Sequence, residues 1–434
     1  MNVAVAKTGG GRAVSDLFAS AEGRLSGSPD VIAARREAFE SYERLGLPHR
    51  RIEEWKYTDL RALVGEVLPL AAAPDAAALK RASDAVKAHA IEGARKLVLV
   101  DGVFAAELSD VKALASEVSL MTLRDALQKD AGVLKTVSTD AVIALNAALA
   151  TDGVVLSIAD GAQLSAPVQI VHVATAASVS VFTRSQVKVG KGARATIIES
   201  FVAAGAKTYQ VNDAVIIAVA DDADVAHIRL MDDAPDAVNI TSQFVTVGAN
   251  TKLNFFNMTS GAAVSRLQGF ITLAGEGSEL SINGVNLLQK TEHGDTTLVV
   301  DHAVPNCVSR EIFRAVIDDR AHSVFQGRII VRPDAQKTDG KMMTRALLLS
   351  DEAEADNKPE LEIFADDVSC GHGATAGALD DTLLFYLKAR GLPEKQAQAL
   401  LIQAFVGEAI EQIADDGLRE HVIGMAERWL ERRS

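Results

Sequence analysis

From about Gly153 onward, apolar residues alternate with polar ones in a long succession of short runs: VVLSIA, QIVHVA, QVKVG, ATIIES, VIIAVA, FVTVG, LNFFNM and GFITLA. A period of two in β-branched and aromatic residues predicts strands. The turns between the runs also repeat. A strand, a small or acidic turn and then an Ala, Thr or Ser recur in SIADGA, KVGKGA, AVADDA, TVGANT and TLAGEGS, ending at Ala162, Ala193, Ala223, Thr251 and Ser278, which lie 31, 30, 28 and 27 residues apart. A near-constant period of this size in strand-rich sequence signals a solenoid, each coil stacking its apolar interior on the next. Similar turns return in DDRAH, RPDAQ and SDEAE near Ala321, Ala335 and Ala353, at spacings of 14 and 18 that suit two turns of one coil. A sandwich or propeller is the alternative, but no blade signature is present.

The flanks read differently. Ser28 as N-cap and Pro29 at the first helical position open a helix with Ile32, Phe39 and Tyr42 on one face, ended by Gly46 and Pro48. A short strand is expected at Lys96 to Val100 before a turn at Asp101 and Gly102, then helix from roughly Thr122 to Ala150. After Thr375 the pattern is helical again. Asp380 or Asp381 caps a helix with Leu383, Leu384 and Leu387 on one face, closed by Gly391. Pro393 opens a second with Ala397, Leu400, Leu401, Ala404 and Phe405 at i, i+3, i+4 spacing, and a third carries Leu418, Val422, Met425 and Trp429. The expectation is a mainly β protein: an N-terminal mainly helical region over 1–150, a β-helix core over 151–375 and a C-terminal helical bundle over 376–434 that covers the open edge of the last coil.

Composition narrows the function. A net charge of −14 disfavours nucleic acid and anionic membranes, which require clustered Lys and Arg. No run approaches the ~20 apolar residues of a spanning helix and no secretory signal opens the chain, so a cytoplasmic location is expected. The two cysteines, Cys307 and Cys370, form no C-x-x-C pair and should remain thiols. VGKGARAT lacks the spacing and the Lys-Ser/Thr ending of a Walker A loop, and no GxGxxG joins a strand to a helix, so no nucleotide is predicted on this chain.

The densest candidate chemistry is LEIFADDVSCGHGAT, Leu361 to Thr375, where Cys370 and His372 sit two positions apart and can project to one side of an extended backbone. Thiolate and imidazole suit iron, zinc or an iron-sulfur cluster. A free cysteine is also often a small buried hydrophobe, and a lone histidine often a satisfied core or surface residue. A nucleophilic Cys-His-Asp reading is weak, because catalytic dyads are normally assembled from distant segments. Asp366 and Asp367 either accept from the imidazole or turn the chain. Cys307, beside His302 in DHAVPNCVSR, reads as a structural thiol, and His293 as a turn residue.

This segment, with DDTLLFYLKARGL downstream, closely resembles the SufB/SufD family of scaffold proteins of the SUF iron-sulfur cluster assembly system, on its D-type branch. Gly371 departs from the serine expected in that motif. RRIEEWKYTDL, Arg50 to Leu60, is also similar to the family's N-terminal region, though its own residues read as packing, with Trp55 and Tyr57 as anchors. The resemblance implies a non-catalytic scaffold, a SufB-like paralogue as heterodimer partner, and a SufC-like ABC-type ATPase docked on the C-terminal helices over Leu383 to Phe405. It also implies a role in iron acquisition. His372 would face the paralogue's cysteine where a transient iron or iron-sulfur cluster is shared between the chains, with Cys370 either a second ligand or a support for the loop. One Cys and one His leave coordination positions open, so the remaining ligands would come from another chain. A homodimer is the alternative assembly. The competing class is a β-helix lyase or hydrolase of polysaccharide, which needs carboxylates along one groove and aromatic platforms. The 5% aromatic content counts against it.

Overall fold

The computed structural model describes residues 9–64, 68–135 and 140–433. Strands alternate between two sheets, each pairing with the strand one coil away, so that every coil contributes one strand to each sheet. The first sheet runs from Arg95–Val100, through Val168–Ala174, Arg194–Ala203, Asp224–Asp233, Lys252–Gly261, Glu279–Leu288, Val308–Ile317 and Asp339–Leu348, to Ser369–Gly377. The second runs from Val154–Ile158, through Val179–Val189, Tyr209–Val219, Val238–Val247, Val264–Leu273, His293–His302 and His322–Val331, to Glu354–Ile363. Pairing is parallel throughout both series, and only short antiparallel strands, Val103–Phe104 and Val118–Thr122, join at the start. This is the expected β-helix. The strand expected at Lys96 to Val100 is its first rung, pairing in register with Val168–Ala174 across the intervening helices.

The repeating turn has a physical cause. Gly161, Gly192, Asp222, Asn250, Gly277, Asn306 and Lys337 all have φ between 52° and 73°, a left-handed conformation favoured by Gly, Asn and Asp. The next residue in each case, Ala162, Ala193, Ala223, Thr251, Ser278, Cys307 and Thr338, turns inward and is buried. The strand registers place these seven in one column. Cys307 therefore continues the Ala/Thr/Ser series as a corner residue. Ala321 and Ala353 lie at the opposite corner and Ala335 in a lengthened turn of the first, so the shorter spacings are two turns of one coil.

Inside, alternate residues of both sheets meet in one apolar core running from Leu97 and Val154 to Val331 and Met342. The outward face of the second sheet is covered by the N-terminal region. The helix Pro29–Leu45, capped by Ser28, buries Val31, Arg35, Phe39 and Tyr42, with Ile32 only half-buried. The helix expected from Thr122 to Ala150 is interrupted: Leu123–Ala126 and Ala141–Leu149 are helical, separated by a 3₁₀ turn at Ala131–Leu134 and by 136–139, which lie outside the described residues. Asp130 and Asp140 each bond backbone N–H groups ahead of them and so start new elements.

Arg50 to Leu60 is a clamp. Trp55 is buried, lies over the Arg266 guanidinium at 3.8 Å and donates its indole N–H to Asp140 at 2.7 Å. Arg266 is ion-paired with Asp295 and donates to the Glu54 carbonyl at 2.6 Å. Thr58 donates to Asp295 and meets His293 Nε2 at 2.9 Å. His293 is thus not a turn residue: it opens a strand and is sealed beneath this segment. Tyr57 is only half-buried, so the anchoring falls to Trp55.

The three C-terminal helices, Asp381–Ala389, Glu394–Ile410 and Asp416–Arg432, do not cover the open end of the solenoid, contrary to the expectation. They fold back along the outer face of the first sheet, where Ile402, Val406, Ile410, Leu418, Val422 and Trp429 pack on Ile228, Phe256, Met258, Val285 and Val316. That face is apolar at its outward positions, so burying it removes more hydrocarbon from water than covering the narrower coil end would. Buried Arg314 pairs with Glu408 at 2.6 Å, fixing the middle helix to the sheet.

Two tests follow. Trp55→Ala should lower stability by about 3–5 kcal/mol in urea unfolding, because it opens a cavity over a buried ion pair; Trp55→Phe should recover most of that. Glu311 points into the interior, 1% exposed, with neither carboxyl oxygen hydrogen-bonded, and burial pushes its pKa from 4.5 up to about 8. Below pH 4.5 it is neutral folded and unfolded. Between there and pH 8 the unfolded chain gives up a proton that the folded chain keeps, so its presence lowers stability as pH rises. Glu311→Gln should accordingly gain in Tm over wild type from pH 5 to pH 8, with almost no difference at pH 4.5.

Candidate functional site

The last rung of the first sheet, Ser369–Gly377, carries both predicted ligands. It pairs residue for residue with Asp339–Leu347, placing Cys370 beside Gly340 and His372 beside Met342. Met342 belongs to the interior core, so Cys370 and His372 project from the inward side of their strand. No coil follows. Cys370 is half-buried against the core, whereas His372 is exposed and its ring makes no hydrogen bond or ion pair among the described residues. Two residues along a strand set their Cα atoms roughly 6.6–7 Å apart, a span that one metal ion or a small cluster can bridge.

The strand is held from its first residue. Lys341 Nζ bonds Ser369 Oγ at 2.9 Å, and the Asp367 N–H donates to Gln336 Oε1 at 2.9 Å. Asp367 also pairs with Lys337, so it turns the chain, and no bond links Asp366 or Asp367 to His372 among the described residues. A Cβ at Gly371 would meet only Lys341 Cδ, at 3.9 Å, so space does not demand glycine there. Gly373 differs: a Cβ there would lie 2.6 Å from the Met343 methyl.

Beneath His372 the same inward column continues through Met342 to Glu311, roughly 10 Å away across two strand spacings. In the neighbouring coil His302 is fully buried, bonds Ser309 Oγ at 3.0 Å, and is held neutral by burial, its pKa lowered to about 4. Cys307 sits at the corner, its thiol pushed up by burial and directed at the Gly275 carbonyl at 3.4 Å. Both cysteines are free. Two coils separate them: Cys370 shares the terminal rung with His372, while Cys307 and His302 are enclosed in the interior.

A second group on the same terminal coils has no local sequence signal. On the outer face of the second sheet His322 Nε2 lies 2.8 Å from Asp356, and ligand atoms of His322, Glu354 and Asp356 fall within 4.8 Å of one another. Its members are 32 and 34 residues apart in sequence, and only the coil period brings them together.

The edge is exposed well beyond these side chains. Ile363 and Phe364 are 41% and 62% exposed, and nearly all of Ser369–Gly377 faces solvent. The first C-terminal helix presents Leu383, Phe385 and Tyr386, with Leu400 of the next helix also uncovered. Leu384 and Leu387 turn partly inward. In Glu394–Ile410 the buried face is Ala397, Ile402, Val406, Ala409 and Ile410, so the expected stripe through Leu400 and Ala404 is instead on the outside. Among the described residues no helix is long and apolar enough to cross a membrane.

Comparison with known proteins agrees with this architecture. The profile described as SUF system FeS cluster assembly, SufBD core domain, matches residues 172–405, and that of the SufBD protein N-terminal region matches 12–170. The chain is similar to iron-sulfur cluster assembly protein SufD of Escherichia coli, at 32% identity over 88% of each chain. It is also similar to an iron-sulfur cluster assembly SufBD family protein of Synechocystis, at 30% identity over 90% of this chain and 89% of the relative. SufD of Bacillus subtilis is 27% identical over 66% of each. With both family regions matched end to end and the solenoid in place, this chain belongs to the SufBD family of iron-sulfur cluster assembly proteins and is SufD-like.

Proposed function

We propose that the protein is a non-catalytic scaffold subunit of a SUF-type complex, joined through its open terminal coil to a SufB-like paralogue. The observation that carries this reading is that coil: two edge strands, Glu354–Ile363 and Ser369–Gly377, each paired on one side alone, with His372 exposed and Cys370 half-buried beside it. An exposed parallel edge offers free N–H and C=O groups to a matching edge on another chain. A continuous sheet across the joint would bring His372 and Cys370 opposite the partner's ligands, completing a coordination set that this chain leaves short. Iron and the nascent cluster are cargo there. His372 is the favoured ligand, because Cys370 has packing to lose on turning outward. The exposed apolar face of Leu383, Phe385, Tyr386 and Leu400 suits the dock for a SufC-like ATPase, consistent with the chain's lack of a phosphate-binding loop. A part in iron acquisition fits a histidine at the mouth of a solenoid whose interior holds Glu311. A cytoplasmic location is part of this proposal; among the described residues no helix is long and apolar enough to cross a membrane.

The decisive experiment isolates the tagged protein anaerobically with its co-purifying partners and measures iron and acid-labile sulfide. His372→Ala should lower both at least about tenfold while paralogue and ATPase still co-purify. Retention of the cluster would make His372 structural. Phe385→Asp, at a side chain 73% exposed, should leave Tm within the range of a surface change, yet weaken ATPase binding about tenfold or more by calorimetry. Unchanged binding would move the dock elsewhere.

A further inference from the structure

Toward the N-terminal end of the solenoid the interior turns polar. His172, Glu199 and Asp213 come from Val168–Ala174, Arg194–Ala203 and Tyr209–Val219, and are 8%, 0% and 1% exposed. One ligand-type atom from each lies within 4.8 Å of the other two. The register explains the meeting: His172 pairs with Phe201 in the next rung and stacks on its ring at 4.3 Å, two residues beyond Glu199, while Asp213 arrives from the other sheet.

These groups are under-used. His172 Nε2, both Glu199 carboxyl oxygens and Asp213 Oδ2 make no hydrogen bond; Asp213 Oδ1 accepts from Thr183 at 2.5 Å. His227 Nε2 comes within 2.9 Å of Glu199 Oε2. Buried polar atoms are nearly always satisfied, so several unpaired atoms facing one point indicate a missing partner.

Charge indicates the same. Arg229 is the cation whose field reaches Glu199, Asp213 and Asp233 together, and it donates instead to Asn257 at 3.1 Å, Asn239 at 3.2 Å and Thr241 at 2.9 Å. Asp233 is occupied by the Tyr209 hydroxyl at 2.5 Å and by Asn239 at 2.7 Å. Arg184, the second buried guanidinium near Asp213, gives its donors to Asn146 and to the carbonyls of Val133, Leu134 and Lys135, so neither guanidinium hydrogen-bonds Glu199 or Asp213. A cavity of about 20 Å³, lined by His172, Tyr209 and Asp233, adjoins the group and has room for one water.

We propose that His172, Glu199 and Asp213 bind one divalent first-row transition ion inside the solenoid, with His227 flanking Glu199. Imidazole with carboxylate suits Zn²⁺, Mn²⁺ or Fe²⁺. The site is enclosed, so the ion enters as the coils close and ties three strands together. It is separate from the terminal edge and does not depend on the scaffold reading.

The full-length chain is refolded with Zn²⁺, Mn²⁺ or anaerobic Fe²⁺, passed through EDTA and gel filtration, and assayed by inductively coupled plasma mass spectrometry. Wild type and His372→Ala should each keep about one equivalent of at least one ion, and Glu199→Gln with Asp213→Asn under about a tenth of that. Wild type without a retained ion, or the double variant with a full equivalent, overturns the proposal. X-ray absorption of the loaded His322→Ala variant, which removes the imidazole of the outer group, reads the ligands directly: a nitrogen and oxygen shell near 2.0–2.2 Å with imidazole scattering supports the site, and loss of the ion or sulfur scattering moves it to the His322 group or to a cysteine and overturns the proposal.

Discussion

A parallel coil satisfies its backbone only by pairing with the coils on either side of it. Everything else in this protein answers that constraint. Inner rungs find partners above and below, so their residues can be buried on both sides, and the interior stays dry enough to hold His302 and His172 neutral and to keep Glu311 protonated toward pH 8. The final coil has a partner on one side alone. Its edge is where backbone pairing is left open, and there the exposed histidine and the half-buried cysteine stand on one strand.

The two helical flanks handle the remaining surface in different ways. The N-terminal segment closes over the second sheet with a polar lock: Trp55 on Arg266, Arg266 on Asp295 and Thr58 on His293. A buried pair of this kind contributes little net stability but is costly to leave half-made, so it sets where the segment sits more than how tightly. The C-terminal helices close over the first sheet by apolar packing, leaving the end of the solenoid free and a row of large side chains uncovered. The broad faces are covered and the end is spared.

The interior also divides along its length. The terminal column of Glu311, Met342 and His372 and the enclosed group of His172, Glu199 and Asp213 are both lined by side chains from successive rungs, yet one opens to solvent and the other is sealed by coils on both sides. Exchange with a partner is open to the first. The second is suited to something held for the life of the fold.

Much of this was legible in the residues. The period of two marked the strands, and the 27–31-residue recurrence of a left-handed turn followed by a small residue marked the coils, because backbone sterics at each corner select both residue types. Cys370 and His372 shared a face for the same local reason. What tertiary structure alone decided lies across coils and faces. Glu394–Ile410 spreads its apolar residues around the helix with no distinct apolar face, so its pattern could not say whether Leu400 or Ile402 would be buried; the outer face of the first sheet made that choice. His293 looked like a turn residue until Thr58, 235 positions earlier, closed over it. The acidic and histidine group inside the solenoid leaves no motif, since His172 lies 27 residues before Glu199 and Asp213 a further 14 along on the other sheet, and they become neighbours only when the coils close and one rung lies about 4.8 Å above the next.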